Sequence, residues 1–124
     1  MWVLLLVLGA IFFLSVQAEA KYHHHNKPLT NQVVSGRPTA WCGWWMRHNN
    51  GRGDPGPAFN LARKWVAWGH AAVPQPGAIV VYPHHVVRVE AVLGGGRVLA
   101  TSGNDGHAVR TRVRSLRGAV AVRV

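Results

Sequence analysis

The chain has 124 residues, room for one domain, and its 48% hydrophobic content excludes disorder as the main state. Lys and Arg number 14 against 4 Asp and Glu, a formal net charge of +10 that suits a polyanionic partner and says nothing of fold. A single cysteine excludes an intramolecular disulfide framework and a cysteine-rich zinc site.

Residues 1–20 read as a signal peptide. The run from Trp2 to Leu14 is apolar, about the length of a signal h-region and short of the roughly 20 residues that span a bilayer. Ala18-Glu19-Ala20 fits the small-x-small pattern before a cleavage site. No Lys or Arg precedes the apolar run, and the other reading is an uncleaved anchor, which would be the chain's only membrane contact. Cleavage would send the protein to the periplasm or the extracellular space. Residues 21–36 read as a flexible linker. His23, His24 and His25 are consecutive, so they converge poorly on one ion, and a solvated tether is the better reading.

From Arg37 the pattern is that of a folded domain. Thr39 is a candidate N-cap for a short tryptophan-rich helix from Ala40 to about His48, stopped by Asn49-Asn50-Gly51. Arg52 to Pro57 is a turn-rich loop, and its Arg52-Gly53-Asp54 tripeptide is best explained by chance in so basic and Gly-rich a chain. Ala58, Leu61, Ala62, Trp65 and Trp68 predict a second helix over 58–68, with Gly69 at its C-terminal cap.

Beyond Pro74 the texture is that of strands. Pro74-Gln75-Pro76-Gly77 is a tight-turn signal, Ala78 to Tyr82 a buried strand and His85 to Leu93 a second one. Gly94-Gly95-Gly96 turns the chain so that Arg97 to Ser102 pairs back. After the Gly103–Gly106 turn, Val109 to Val113 alternates with Arg110, Arg112 and Arg114, predicting a half-buried strand with a basic outer face. Gly118 to Val124 closes the sheet. Two helices followed by about five antiparallel strands define an α+β domain.

One spacing carries chemistry. With Thr39 as cap, Cys42 falls in the first helical turn, where free backbone N–H groups and the helix dipole favour a thiolate and could hold an oxyanion. The other reading of Cys42 is a small buried hydrophobe. A thiol hydrolase also needs a base, for which His84 and His85 at a strand start are candidates. Alternation places His85, Val87 and Val89 on one face and turns His84 the other way. Asn104 and Asp105 are the polar candidates to orient the imidazole. Trp41 and Trp44, beside the cysteine, are candidates for holding substrate. No metal or cofactor is implied.

The segments Trp41-Cys42-Gly43-Trp44-Trp45, Asn60 to Trp65, Pro76 to Val81, His84-His85-Val86-Val87 and Ser102 to Gly106 occur in a familiar order. From about Arg37 to Val124 the chain resembles the small papain-like cell-wall hydrolases of the CHAP type (cysteine, histidine-dependent amidohydrolase/peptidase) and their NlpC-like relatives. The resemblance implies a papain-like fold, with N-terminal helices packed on a small antiparallel sheet. It also implies Cys42 as nucleophile, His85 as base and Asn104 as the orienting group. The family usually has a small residue after His-Val, where Val87 and Arg88 stand here.

The expected function is therefore that of an exported, monomeric cysteine amidohydrolase or peptidase acting on peptidoglycan, an anionic wall polymer. The alternative is a non-catalytic wall- or polyanion-binding module on the same fold, with Arg110, Arg112, Arg114 and Arg117 as its contact face. Export and the lack of a recognisable nucleic-acid module argue against nucleic acid as partner.

Overall fold

The computed structural model describes residues 37–124. The expected signal peptide and linker, with the His23–His25 triplet, lie outside the described residues. Helix α1 spans Cys42–Asn49, two residues later than Thr39 as cap would have it. Trp41 stands at the cap with φ −108° and ψ 15°, and no side chain caps the helix. The first helical bond runs from Trp45 N–H to the Trp41 carbonyl at 2.9 Å. Cys42 is thus the first helical residue rather than the third.

The C-terminal end of α1 is satisfied by asparagines. Asn49 donates to the Trp45 carbonyl at 2.8 Å, and buried Asn50 donates to the Met46 and Arg47 carbonyls at 3.1 Å. These are the carbonyls a helix end leaves without partners. Asn50 Oδ1 also accepts from the Arg52 and Gly53 amides, which folds the following loop back on the helix. Asp54 is taken by the Arg47 guanidinium fork at 2.7 and 2.8 Å, which holds its carboxyl down at about 2. The acidic end of the Arg52-Gly53-Asp54 tripeptide is therefore occupied within the fold.

The predicted second helix is instead two 3-10 segments, Pro57–Asn60 and Ala62–Ala67, parted by Leu61 in extended conformation and 60% exposed. The physical reason is a period of three. Phe59, Ala62, Trp65 and Trp68 recur every third residue, the spacing at which side chains eclipse in a 3-10 helix. The aromatic rings of this row pack together, Phe59 edge-on to Trp65 and Trp65 tilted against Trp68, each pair at 5.1 Å between centroids. Leu61, off this row, is left outside. The segment lies close against α1: a Cβ on Gly43 would stand 2.3 Å from the Asn60 carbonyl oxygen.

The five strands β1 (Ile79–Tyr82), β2 (His85–Gly94), β3 (Arg97–Ser102), β4 (Arg110–Ser115) and β5 (Ala121–Arg123) form one antiparallel sheet in the order β4-β3-β2-β1-β5. Both faces of its centre are buried. Ile79, Val81 and Val86 pack with Cys42, Trp45, Met46 and Trp65. Ala78, Val80, Val87, Val89, Val98 and Ala100 form a second cluster, flanked by Tyr82, Leu116 and Val122. The architecture is α+β. Arg88, where a small residue was expected, bridges sheet and helix: it lies 5.3 Å over the Trp45 ring and donates to the Asn49 carbonyl and to Glu90. Among the described residues no helix is long and apolar enough to cross a membrane.

The basic strand corrects a second expectation. In β4 it is Val113 that faces solvent, 51% exposed, whereas the Arg114 side chain is 24% exposed. Asp105 gathers the arginines: Arg112, whose side chain stays half exposed, meets it at 2.6 Å, and Arg114, the more buried, at 3.0 Å. Arg110 donates to the Asp105 carbonyl at 2.8 Å. Of the four arginines proposed as a contact face, three are thus engaged by one residue, and Arg117 is exposed.

The end of β3 meets the start of α1 through Gly103. A Cβ there would lie 2.4 Å from Trp45 Cβ and 3.0 Å from the Trp41 ring. Both neighbours are buried and fixed. Gly103→Ala is expected to cost about 1–3 kcal/mol by overpacking, read as a lower urea midpoint with an unchanged slope.

Candidate active site

Cys42 opens α1 and is 5% exposed. Backbone N–H groups of Val86, Gly43 and Cys42 itself are directed at its sulfur and favour the thiolate, but burial outweighs them and pushes the thiol above its ordinary value. The expectation of a thiolate stabilised at neutral pH is thereby corrected. The helix terminus supplies the N–H groups, while the packing around Trp41, Trp45 and Val86 removes the water a thiolate needs. Trp41 is 6% exposed, with the Arg37 guanidinium 4.4 Å over its ring, so it backs the cysteine rather than offering a free face. Trp44 is half-buried and meets His48 edge-on.

His85 is the first residue of β2, paired with Tyr82 across the β1–β2 turn. Its peptide bond to Val86 carries the N–H that faces Cys42 Sγ, so thiol and strand start are neighbours through the backbone. The Val86 side chain joins the Cys42 cluster, so the two side chains expected to form a pair are not brought together: alternation turns the imidazole to the opposite face of β2, toward the end of β3. There His85 Nε2 lies 2.9 Å from Ser102 Oγ and 3.3 Å from the Arg114 guanidinium. Among the described residues Nδ1 has no hydrogen-bond partner, and none links the ring to Cys42. Burial first, then the positive charge of Arg114, holds the imidazole down at about 4; Asp105 opposes this and Arg112 adds to it. His84 is exposed in the turn.

Asn104 stands in the turn after β3 with φ +51°, a left-handed conformation that asparagine tolerates well. Among the described residues its side chain makes no hydrogen bond to His85. The neighbour of the imidazole is Ser102, fully buried at the end of β3. Register could have found it: β2 and β3 pair Arg88 with Thr101, so Ser102 shares a face with Val87 and His85. The choice of Asn104 rested on amide chemistry, not on strand parity. Ser102→Ala is expected to lower turnover about tenfold with substrate affinity retained, whereas Asn104→Ala leaves turnover near wild type; parallel kcat and KM measurements check this.

Asp105 is 9% exposed and accepts from Arg112 at 2.7 Å as well as pairing with Arg114. Ser102, His85, Arg114, Asp105 and Arg112 thus form one polar chain along the β3–β4 edge of the site. Among the described residues no three His, Cys, Asp or Glu side chains converge as a metal site requires. Searches against protein-family models, curated proteins and solved structures find no match to this chain.

Proposed function

We propose that the protein is an exported papain-like cysteine hydrolase of the CHAP or NlpC-like type, cleaving an amide bond of peptidoglycan. One observation carries the reading: Cys42 opens a helix and packs against Val86, the residue that follows His85 at the start of β2, whose backbone N–H favours the thiolate. A nucleophile, a base and free N–H donors are the parts acyl transfer needs; the His85 ring rests on the face of β2 opposite Cys42, so it has to swing round the strand start to reach the sulfur. Cys42 Sγ attacks the scissile carbonyl and its proton passes to the imidazole. The N–H groups at the helix start hold the oxyanion, and the imidazolium returns the proton to the leaving amine. The resting pair is thiol and neutral imidazole, so the proton moves during attack rather than before it. The net charge of +10 suits a carboxylate-rich wall polymer.

A second reading, a non-catalytic basic wall-binding module, is favoured by the low exposure of Cys42 and its upshifted thiol. Incubating the protein with purified peptidoglycan and weighing the products by mass spectrometry decides between them. New termini from one amide class support the hydrolase. Binding that falls steeply with salt, with no product, supports the module.

A further inference from the structure

Arg114 has two partners that a single guanidinium nitrogen serves at once. Its NH2 nitrogen is 3.0 Å from Asp105 Oδ2 and 3.3 Å from His85 Nε2. A guanidinium only donates, and it does not lose its proton. A ring nitrogen facing such a donor is satisfied only when it carries no hydrogen itself. Ser102 Oγ, 2.9 Å from the same nitrogen, can donate as well as accept, so it is compatible with that state.

We infer that Arg114 is a positioning residue of this site: held by Asp105, it donates to His85 Nε2 and keeps the imidazole neutral with its proton on Nδ1. Other charged and titratable groups around the ring agree with this. From β4 Arg112 adds positive charge, and from the β3–β4 turn Asp105 opposes it while its carboxylate is shared by both arginines. From β1 comes Tyr82, whose hydroxyl is committed to the Ser115 carbonyl at 2.7 Å. The buried thiol of Cys42 lies across the strand.

The consequence for catalysis rests on the reading of His85 as base. With its proton on Nδ1, the ring has no lone pair on the nitrogen left free by Ser102 and Arg114. To accept the Cys42 proton at Nδ1 the ring must take the other tautomer, with Nε2–H donated to Ser102 Oγ. Arg114 must then turn wholly to Asp105. The guanidinium therefore has two positions, one restraining the base and one releasing it.

The test is nitrogen-15 imidazole spectroscopy of His85 across acid to neutral pH, which needs no substrate. Wild type is expected to show the Nδ1–H tautomer; a wild-type Nε2–H tautomer overturns the inference. Arg114→Met keeps the buried stem and leaves Asp105 paired with Arg112. It is expected to move the ring toward Nε2–H and raise its titration midpoint by about one unit or more. Arg114→Lys, which keeps the charge, is expected to hold the midpoint low. An Arg114→Met midpoint and tautomer equal to wild type, in a folded variant, also overturn the inference. Alkylation of Cys42 near neutral pH is read separately. If Arg114→Met shifts the tautomer without changing alkylation, Arg114 acts as inferred and it is the base role of His85 that fails.

Discussion

Replacing Cys42 by serine is expected to abolish peptidoglycan cleavage, a fall on the order of 10³-fold or more, while leaving the fold intact. Serine fills nearly the same volume, and its hydroxyl can accept the Val86 and Gly43 amides now directed at the sulfur. The packing of Trp45, Met46 and Val86 around position 42 is then undisturbed. A hydroxyl in so dry a site, served by an imidazole that binds a proton only weakly, is far harder to activate than a thiol. Product analysis on purified walls measures the loss, and a urea midpoint near wild type shows that it is not a folding effect. A serine variant that cleaves walls as fast as wild type would sink the hydrolase proposal. Thiol alkylation adds a distinct expectation. Because burial holds the Cys42 thiol above its ordinary value, its rate should still be climbing above pH 9 rather than levelling near neutrality.

The strands were legible because glycine and proline punctuate them. Arg97–Ser102 is found at both predicted ends, and β1 and β2 fall within one residue of expectation. Three glycines with positive φ, Gly94, Gly95 and Gly96, make the β2–β3 turn that no other residue adopts as easily. The second helix was not legible as such. Ala58, Leu61 and Trp65 suit an α-helix, and Phe59, Ala62, Trp65 and Trp68 suit a 3-10 row; in the fold it is the second row that packs on the core, with the Phe59 and Asn60 carbonyls close against Gly43. The direction of β4 was hidden for a different reason. Alternating Val and Arg reads as apolar inside and charge outside, and the sequence does not announce that Asp105 lies where it can recruit Arg112 and Arg114. Of the candidate site, the places of Cys42 at a helix start and His85 at a strand start were legible from helix and turn signals. Ser102 required strand register, which a single sequence does not supply.

Acid is expected to act on His85 in two measurable ways. Its imidazole titrates at about 4 in the folded protein, against an ordinary value of 6.5 in the unfolded chain. Between those values the unfolded chain binds a proton that the native state refuses, so stability rises with pH. The contribution is fully present above 6.5, is lost as pH falls toward about 4, and changes no further below. Its size is about 2–3 kcal/mol, because each unit of difference is worth roughly 1.4 kcal/mol and the ring keeps some contact with solvent. Urea midpoints through this window should show the slope in wild type. His85→Gln, which keeps a polar group beside Ser102 and has no titration there, should remove that part of it. An equal slope in both proteins would mean that other groups carry the acid sensitivity. Catalysis follows the same proton. An imidazole that stays neutral down to about 4 keeps the base available in mild acid, so the acid limb of kcat/KM should fall near 4 and not near 6.5. His85→Gln should lower kcat/KM by about 10²-fold or more and abolish that limb. Wild-type activity lost already at pH 6 would place the essential base on another histidine, with exposed His84 the first to replace.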